Sequence, residues 1–400
     1  MSGRRGVLTV FISVAMAFGL TACGDDEEAS SSSSEQGIPK GDIVIGAAIA
    51  KTGFLAPYDE GIKTVRLRIE DINREGGIAG HKLKLIEADT RSDLQRGSVA
   101  GLDLVDKGAQ VMLVTCETGA GAPAALVAGE KGIVSFTLCA SEPAWNPPNF
   151  EGLAYSVFGS IASEAAAGAQ FLQEDKKVEN PFLLVDTSIS YGKNACKAYE
   201  AYVKEQGGSI AGTAEFKNED PSIKGQVAEI QSSGADGVAL CSYPPGGATA
   251  LKQMRAAGVD VPVWGPNAFD GTFWLESVPD LSNFYFTTGG SVFGDDPRPE
   301  VNEILADLLK RGAQDTTALP AYSTVEAITK AIKATDSVDG ETLAAELDTW
   351  KDEPLLIGPT TYTDKIHVPD RSWYIVEIQN GKDRYLTTAD PTFVPSLDAG

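Results

Sequence analysis

Histidine is scarce in this chain of 400 residues, which contains two. An imidazole-based catalytic triad and a zinc site both draw on this side chain, so both are disfavoured. His81 and His367 lie in apparent turn regions, where a surface position is expected. Neither a G-x-S-x-G elbow nor a Walker-type phosphate loop occurs. We therefore expect no enzyme, no metal site and no cofactor, although turnover of a ligand by the purified protein would support the enzyme alternative.

Basic residues are few relative to acids, with 33 Lys and Arg against 56 Asp and Glu and a formal net charge of -23. Such a surface repels phosphate backbones, so nucleic acid is not expected as a partner. The length of 400 residues suits two globular units or one large one.

Long apolar runs are missing as well. The run over 7–20 has about 14 residues, fewer than the ~20 that a spanning helix needs. It follows two arginines and ends in the sequence LTAC, which resembles a bacterial lipobox. We predict a lipoprotein signal peptide over 1–22, cut before Cys23, which then carries the lipid. The alternative is an ordinary export signal with a coincidental Cys.

Residues 24–40 are rich in Ser and acidic side chains. Such a segment cannot bury enough apolar area to offset the entropy lost on ordering. We predict a lipid anchor and disordered linker at 23–40, whose acids would hold the folded part away from an anionic membrane. A leader without any spacing role is the alternative.

From residue 41 onward, short β-branched runs alternate with longer amphipathic stretches, a pattern typical of an α/β fold with parallel sheets. Strands are predicted at 43–49, 82–88, 111–116, 133–138, 153–158, 182–186, 237–241, 261–264, 284–288 and 373–379. Helices are predicted at 60–75, 94–107, 123–131, 163–174, 192–206, 223–233, 248–257, 299–311 and 322–335.

The loop after the third predicted strand is a candidate ligand site, because ligands of open parallel sheets bind beyond the carboxyl ends of strands. Its small residues from Thr118 to Ala124 lead into a helix start that favours an anion, and Pro123 suits the first helical turn. Gly119 to Ala124 also fits G-x-G-x-x-A. A dinucleotide-binding enzyme is the less favoured alternative, because this strand is internal and no catalytic constellation accompanies it.

Polar and aromatic residues follow several other predicted strands. Ser141 follows the fourth, so its hydroxyl and that of Thr118 are expected to project into one site. Tyr191, Tyr243 and Asn267 follow later strands and would form a second surface across a cleft. Each tyrosine could instead pack in the core with its hydroxyl at the rim.

Short motifs spread over residues 41–385 strengthen this interpretation. They are Thr52-Gly53, Tyr58, DINREGGI at 71–78, ASEP at 140–143, Tyr191-Gly192, Trp264-Gly265-Pro266 and Ile357-Gly358-Pro359. In this order, and together with the lipobox, they resemble the branched-chain amino acid (Leu/Ile/Val-type) solute-binding proteins of ABC importers.

The resemblance implies the type I periplasmic binding protein fold, with two doubly wound parallel-sheet lobes joined by a three-crossing hinge. Projected onto this chain, lobe one takes 41–159 plus 289–369, and lobe two takes 160–288 plus 370–390. It further implies an extracytoplasmic monomer that captures an amino acid or related solute. The membrane would hold it by the lipid anchor only, and its partner would be an ABC permease.

The resemblance also implies the ligand-binding residues. The carboxylate of the ligand is expected at Thr118 with backbone at Ala140 and Ser141. The remaining expected site residues are Tyr58, Cys116, Glu117, Tyr191, Tyr243, Asn267, Asp270 and Phe293.

One position departs from the family, whose members place an acid where this chain has Asn267. A neutral amide provides no opposite charge for an ammonium. Either Asp270 or Glu117 supplies the missing anion, or the ligand is an amide, a carboxylate or an aromatic acid. Glu117 and Glu142 are otherwise expected to be solvated rim charges. Aromatic residues that would suit a flat ligand group, or pack in the core, are Phe54, Trp145, Trp264, Phe269 and Trp274.

Two further alternatives to transport remain open. The same fold would serve a receptor module that senses ligand for a signalling partner. A structural lipoprotein with a degenerate pocket is the other, and failure to bind any ligand in a broad thermal-shift panel would support it.

Four cysteines remain besides the predicted lipidated Cys23, and an even number outside the cytoplasm suggests disulfides. Three pairings are possible. The lobe assignment favours Cys116 with Cys139 and Cys196 with Cys241, because each pair then lies within one lobe. Free buried thiols are the alternative.

Overall fold

Two sheets organise residues 37–397, the part of the chain that the computed structural model describes. The predicted signal peptide at 1–22, Cys23 and most of the predicted linker lie outside these residues. The strands are β1 Ile43–Ile49, β2 Leu83–Asp89, β3 Val111–Val114, β4 Ser135–Thr137, β5 Ala154–Ser156, β6 Pro181–Asp186, β7 Gly212–Phe216, β8 Gly237–Cys241, β9 Val263–Gly265, β10 Phe284–Thr288, β11 Glu353–Leu355, β12 Gly358–Thr360, β13 Trp373–Gln379 and β14 Lys382–Ala389.

Helices flank both sheets. They are α1 Ile62–Arg74, α2 Arg96–Asp106, α3 Thr118–Glu130, α4 Ile161–Glu174, α5 Ser190–Glu205, α6 Lys224–Ser233, α7 Gly246–Ala256, α8 Pro299–Lys310, α9 Ala318–Thr335 and α10 Gly340–Leu347. Within the described range, none of these helices is both long and apolar enough to span a bilayer.

The first sheet has the order β2-β1-β3-β4-β5, and all of its strand pairs are parallel. Helices α1 and α9 pack against each other beside it, so the later segment returns to this lobe. The second sheet has the order β14-β13-β10-β9-β8-β6-β7. Its strands β6 to β10 are parallel, while β13 and β14 are antiparallel additions. The predicted two-lobed α/β fold with parallel sheets is confirmed.

Both faces of the central strands are buried, which explains their unbroken apolar sequences. In β3, Val111 and Leu113 join one core cluster, whereas Met112 and Val114 join the cluster under α2 and α3. Alternate side chains of a strand point to opposite faces, so a strand covered on both sides must be apolar throughout.

The chain passes from the first sheet to the second after β5 and leaves the second sheet after β10 for α9, which packs on α1 beside the first sheet. It returns to the second sheet after β12, which pairs with β11 in a separate two-stranded sheet. Two arginines join these crossing segments. Arg371 donates from Nη2 to the Val157 carbonyl at 2.6 Å, and Arg298 donates from Nη2 to the Gly289 carbonyl at 3.3 Å. Arg298 also donates from Nη1 to the Leu356 carbonyl at 3.0 Å. The two arginine side chains thus donate hydrogen bonds to backbone carbonyl groups that are not paired within a sheet.

Most predicted elements occur in the structure, with differences at their ends. The predictions for β1, β8, β10 and β13 agree with the observed bounds. Strands β7, β11, β12 and β14 and helix α10 were not predicted. Helix α3 begins at Thr118 instead of 123, because Glu117 caps it by accepting from the Ala120 N–H at 2.7 Å. Pro123 therefore lies inside the helix and not in its first turn.

The expected surface position of His367 is wrong. Its ring is buried, with Nδ1 3.0 Å from the Ala154 carbonyl oxygen and Nε2 3.0 Å from Asp348 Oδ1. The ring also stacks on Tyr155 at a centroid distance of 3.8 Å. These contacts satisfy both ring nitrogens, so His367 packs within the first lobe and is not available to a ligand.

Helix α4 approaches strand β9 closely at Gly168. A Cβ built there would lie 2.1 Å from Nε1 of the buried Trp264. We expect Gly168→Ala to lower the free energy of unfolding by about 1–3 kcal/mol, because the helix or the indole must shift. Urea denaturation measures this change.

Gly225 of α6 provides the matched control, since a Cβ there meets nothing within 4 Å. Gly225→Ala should leave stability unchanged or raise it by up to about 1 kcal/mol through helix propensity. Equal effects of the two substitutions would contradict the close approach at Trp264.

Candidate functional site

A cleft lies between the lobes, where strand ends of both sheets meet, and its empty space including open solvent is about 710 Å³. The first lobe lines it with residues after β1, β3 and β4 and at the start of α9. The second lobe lines it with residues after β6, β8 and β9. The lining residues are Leu55, Tyr58, Cys116, Glu117, Thr118, Cys139, Ala140, Ser141, Glu142, Ile189, Tyr191, Tyr243, Asn267, Ala268, Asp270, Thr316, Thr317 and Pro320.

Ten of the eleven residues predicted to bind ligand line this cleft. Their contact with a ligand stays a prediction. Phe293 is the exception, and its predicted role at the site is not supported by its position. Its ring lies 6.3 Å from that of Phe286 and packs against two clusters of buried hydrophobic residues.

Two hydroxyl groups of the first lobe are available to a ligand. Thr118 is the first residue of α3, and its Oγ1 accepts from Trp145 Nε1 at 3.0 Å. Because an indole N–H only donates, the Thr118 hydroxyl proton remains free to donate into the cleft. Ser141 Oγ is buried and has no hydrogen-bond partner. Together with the helix start, these donors make an anion-binding corner.

The backbone of Ala140, predicted to bind the ligand, already has hydrogen-bond partners within the first lobe. Its N–H donates to Thr137 Oγ1 at 3.0 Å, and its carbonyl accepts from Ser156 Oγ at 2.6 Å. Both groups are therefore satisfied within the lobe, and Ala140 forms part of the wall of the cleft.

A disulfide lies in the wall of the cleft. Cys116 and Cys139 are joined, with their Cα atoms 4.7 Å apart, at the ends of neighbouring strands β3 and β4. This bond ties the loop of Thr118 to the loop of Ser141. A second disulfide joins Cys196 of α5 to Cys241 of β8. These are the pairs that the lobe assignment favours.

Three tyrosines form the aromatic part of the cleft. Tyr191 lies in the first turn of α5, and its hydroxyl oxygen accepts from the Ala268 N–H at 3.3 Å. The Tyr58 and Tyr243 rings meet edge to face, 6.4 Å apart. Burial raises the pKa of all three phenols, so each stays protonated and can donate a hydrogen bond.

Direct hydrogen bonds join the two lobes across the cleft. The Tyr58 hydroxyl donates to the Pro244 carbonyl at 3.0 Å. Glu142 Oε1 accepts from Asn194 Nδ2 at 3.1 Å and from the Ser190 hydroxyl. The expectation of a solvated rim charge at Glu142 is therefore wrong, since its side chain is buried by the opposite lobe.

Glu117 is likewise not a solvated rim charge. Its carboxylate caps α3, and burial raises its pKa. The segment Gly119 to Ala124 lies within α3 itself, so these glycines do not form a phosphate loop between strand and helix. This geometry does not support the dinucleotide alternative.

Asn267 lies over a buried carboxylate that the sequence did not single out. Its backbone N–H donates to Glu164 Oε1, and its side-chain Nδ2 donates to Thr288 Oγ1 at 3.4 Å. Glu164 Oε1 also accepts from the Thr287 hydroxyl at 2.9 Å. Asp270, three residues after Asn267, is 6% exposed and lines the cleft.

The aromatic residues considered for a flat ligand group lie elsewhere. Trp145, Trp264, Phe269 and Trp274 are buried in the cores, and Phe54 is 44% exposed outside the cleft lining. The apolar wall comes instead from Leu55, Ile189 and Pro320, which were not predicted. Pro320 reaches the cleft from α9, far along the chain, and no local sequence signal marks it.

Sequence comparison relates the chain to binding proteins. The profile of the periplasmic binding protein family matches residues 42–383. The Leu/Ile/Val-binding protein BraC3 of Rhizobium johnstonii is 24% identical over 346 residues, covering 85% of this chain and 93% of the relative.

Structural comparison finds solved proteins of the same fold. The isoleucine complex of the branched-chain amino acid transporter substrate-binding protein LivJ of Streptococcus pneumoniae has a TM-score of 0.76 at 20% identity, covering 87% of this chain and 99% of that one. A solute-binding protein of an ABC transporter from R. palustris, in complex with benzoate, has a TM-score of 0.74 at 17% identity, covering 89% and 98%. These similarities at low identity show the fold.

Burial of Glu164 makes stability depend on pH. It raises the pKa of this carboxyl from 4.5 to about 8, so the native state holds the proton more tightly than the unfolded chain. The resulting stabilisation is fully present below the pKa of Glu164 in the unfolded chain. It is lost as pH rises toward the pKa of this carboxyl in the folded protein. We expect Glu164→Gln, which keeps an oxygen acceptor, to lose less stability than the parent between about pH 5 and about pH 8.

Urea denaturation across this pH range measures the difference. Glu174→Gln, an exposed acid at the end of the same helix, is the control and should follow the parent profile. Parallel profiles for the Glu164 variant and the parent would contradict the assignment.

Proposed function

The chain belongs to the periplasmic binding protein family, and on that premise we propose that it is the extracytoplasmic substrate-binding component of an ABC importer. It captures a small amino acid or related solute between its lobes and delivers it to a membrane permease. The observation that carries this proposal is the pair of available hydroxyls, Thr118 and Ser141, at a helix start in a closed cleft between two lobes.

The ligand carboxylate binds at the first lobe in this proposal. Thr118 donates its hydroxyl proton, Ser141 donates from a buried and unpartnered hydroxyl, and the start of α3 adds a favourable dipole. The side chain of the ligand lies against Leu55, Ile189 and Pro320, whose burial excludes water.

Capture proceeds by closure of the lobes. A ligand that binds one lobe recruits the other to the extent that it gains contacts there. The bonds from Tyr58 to Pro244 and from Asn194 to Glu142 add to these contacts in the closed form. A micromolar dissociation constant corresponds to about 8 kcal/mol, which an anion corner and one buried apolar group can supply.

The cellular setting is part of the proposal. The signal peptide at 1–22 directs export, Cys23 carries the lipid that anchors the protein, and 23–40 spaces the folded part from the membrane. The folded part acts as a monomer. Lobe one takes 41–159 plus 289–369 and lobe two 160–288 plus 370–390, with the arginine-tied crossings as the hinge.

A carboxylate ligand without an ammonium is the second candidate. The neutral side chain of Asn267 in the cleft favours it, and the similar fold of the benzoate complex accommodates such a ligand.

Isothermal titration against amino acids, their amides, short carboxylates and aromatic acids tests the proposal. We expect at least one amino acid to bind. We expect Thr118→Val to lower the affinity for that ligand by about tenfold or more, because a hydrogen bond to a charged group is worth about 1.5–3 kcal/mol. Thr349→Val, at a surface threonine outside the cleft, is the control. Absence of binding across the panel, or an unchanged affinity in Thr118→Val, would contradict the proposal.

A further inference from the structure

Glu117 places a carboxylate of the protein at the corner where the proposed function places one of the ligand. It is the residue before Thr118, and both line the cleft. Its Oε2 accepts from the Ala120 N–H at 2.7 Å. A Cβ built at Gly119 would lie 3.1 Å from Oε2 and 3.2 Å from Oε1, so the carboxylate lies over the first turn of α3. The helix start therefore already holds an anion.

The described lining of the cleft offers no cation to offset this charge. Three of these lining residues carry carboxylates, Glu117, Glu142 and Asp270, and none is Lys, Arg or His. Glu142 adds negative charge near Glu117, although its Oε1 accepts from Asn194 and Ser190 of the second lobe. A second anion beside Glu117 would thus meet repulsion that no basic side chain of this lining relieves.

The hydroxyls of the same corner are nonetheless suited to an anion. Ser141 is 1% exposed, and its Oγ has no hydrogen-bond partner among the described residues. Thr118 Oγ1 accepts from Trp145 Nε1 at 3.0 Å and keeps its own proton to donate. These two hydroxyls attract a carboxylate that the neighbouring Glu117 repels. Both conditions are met when the ligand carboxylate and Glu117 share a proton.

We propose that Glu117 is a specificity-determining residue that competes, as an internal anion, with the carboxylate of the ligand. A ligand carboxylate binds at Thr118 and Ser141 with uptake of a proton from water, and Glu117 and the ligand then share that proton. A ligand whose bound end is neutral needs no such proton. The assignment rests on the proposed function, because it takes the ligand to bind through those two hydroxyls.

Capture of an anionic ligand then depends on pH. Burial raises the pKa of Glu117, the N–H groups of Gly119 and Ala120 lower it by less, and the charge of Glu142 raises it. A ligand carboxylate at Thr118 raises this pKa further, because it disfavours the ionised form of Glu117. While the ligand itself stays ionised, its affinity is therefore greatest at low pH and falls as pH rises through the pKa of Glu117.

Other titratable groups face this corner. Tyr243 of the second lobe lies near Glu117, and Asp59 accepts from the Cys116 N–H at 3.3 Å, one residue before it. Burial raises the pKa of Asp59 to about 6 and that of Asp270 to about 8, so the pH profile of the unmodified protein does not isolate Glu117. A variant must therefore remove the charge of Glu117 and keep the cap of α3.

Isothermal titration of Glu117→Gln tests the proposal. The amide oxygen of Gln can still accept from the Ala120 N–H, so the cap is kept while the charge is removed. The probes are L-leucine, L-phenylalanine, 4-methylpentanoate and 3-phenylpropanoate, whose carboxylates are ionised at about pH 6 and above. We expect the substitution to raise the affinity for each probe that binds by about tenfold at about pH 8, and by less at about pH 6.

Glu130→Gln is the matched control. It removes an exposed acid from the last position of the same helix, outside the cleft lining. Its affinities and its pH profile should follow those of the unmodified protein. An affinity that Glu117→Gln leaves unchanged or lowers, or an equal gain in both variants, would overturn the proposal.

Proton uptake gives a second measurement. Titration in buffers of different ionisation enthalpy should show that the unmodified protein takes up protons as a probe binds, and that Glu117→Gln takes up fewer. If Glu117→Gln does not fold, Glu117→Thr removes the same charge and supplies the hydroxyl of a preferred N-cap residue. Absence of uptake by the unmodified protein would overturn the proposal.

The two proposals fail in different ways. If Thr118→Val weakens a probe and Glu117→Gln does not strengthen it, the role of Glu117 is overturned while solute capture stays intact. Failure of all four probes to bind either the unmodified protein or Glu117→Gln would also overturn that role. Failure of the whole panel of amino acids, amides and acids would overturn the proposed function itself.

Discussion

The cleft depends on one constraint, the shared direction of parallel strands. The carboxyl ends of β1, β3 and β4 in one sheet face those of β6, β8 and β9 in the other, so the loops that follow them all reach the same space. Helices begin there, which directs N–H groups and short polar side chains into it. Antiparallel additions such as β13 and β14 widen the second sheet without contributing to the lining.

Burial explains which parts of the fold the sequence reveals. The central strands β1, β8 and β10 are covered on both faces, so their apolar runs have clear limits. Strands β7 and β14 form the two edges of the second sheet, and their half-exposed sequences, GTAEF and KDRYLTTA, carry no continuous apolar run. The hydroxyl of Thr118 could be predicted equally well, because the strand that precedes it and the small residues that follow it are neighbours in the sequence.

Contacts between residues far apart in the chain were not predictable in the same way. Glu142 is an acidic residue of a kind that usually lies at the surface. It is buried because Asn194 and Ser190 of the second lobe approach it. Thr317 reaches the cleft because its hydroxyl donates to the Tyr58 carbonyl at 2.9 Å, a contact across 259 positions of sequence. Phe293, expected at the site, does not line the cleft, and its ring packs on Phe286 of strand β10.

The disulfide between Cys116 and Cys139 links the cleft to the chemistry of its compartment. It ties together the two loops that present Thr118 and Ser141, and such a bond persists where the surroundings are oxidising. A copy still in the reducing cytoplasm would have these loops joined only by β-pairing and packing. Under the proposed function, maturation of the cleft would then be completed only after translocation, which separates the finished binder from solutes inside the cell.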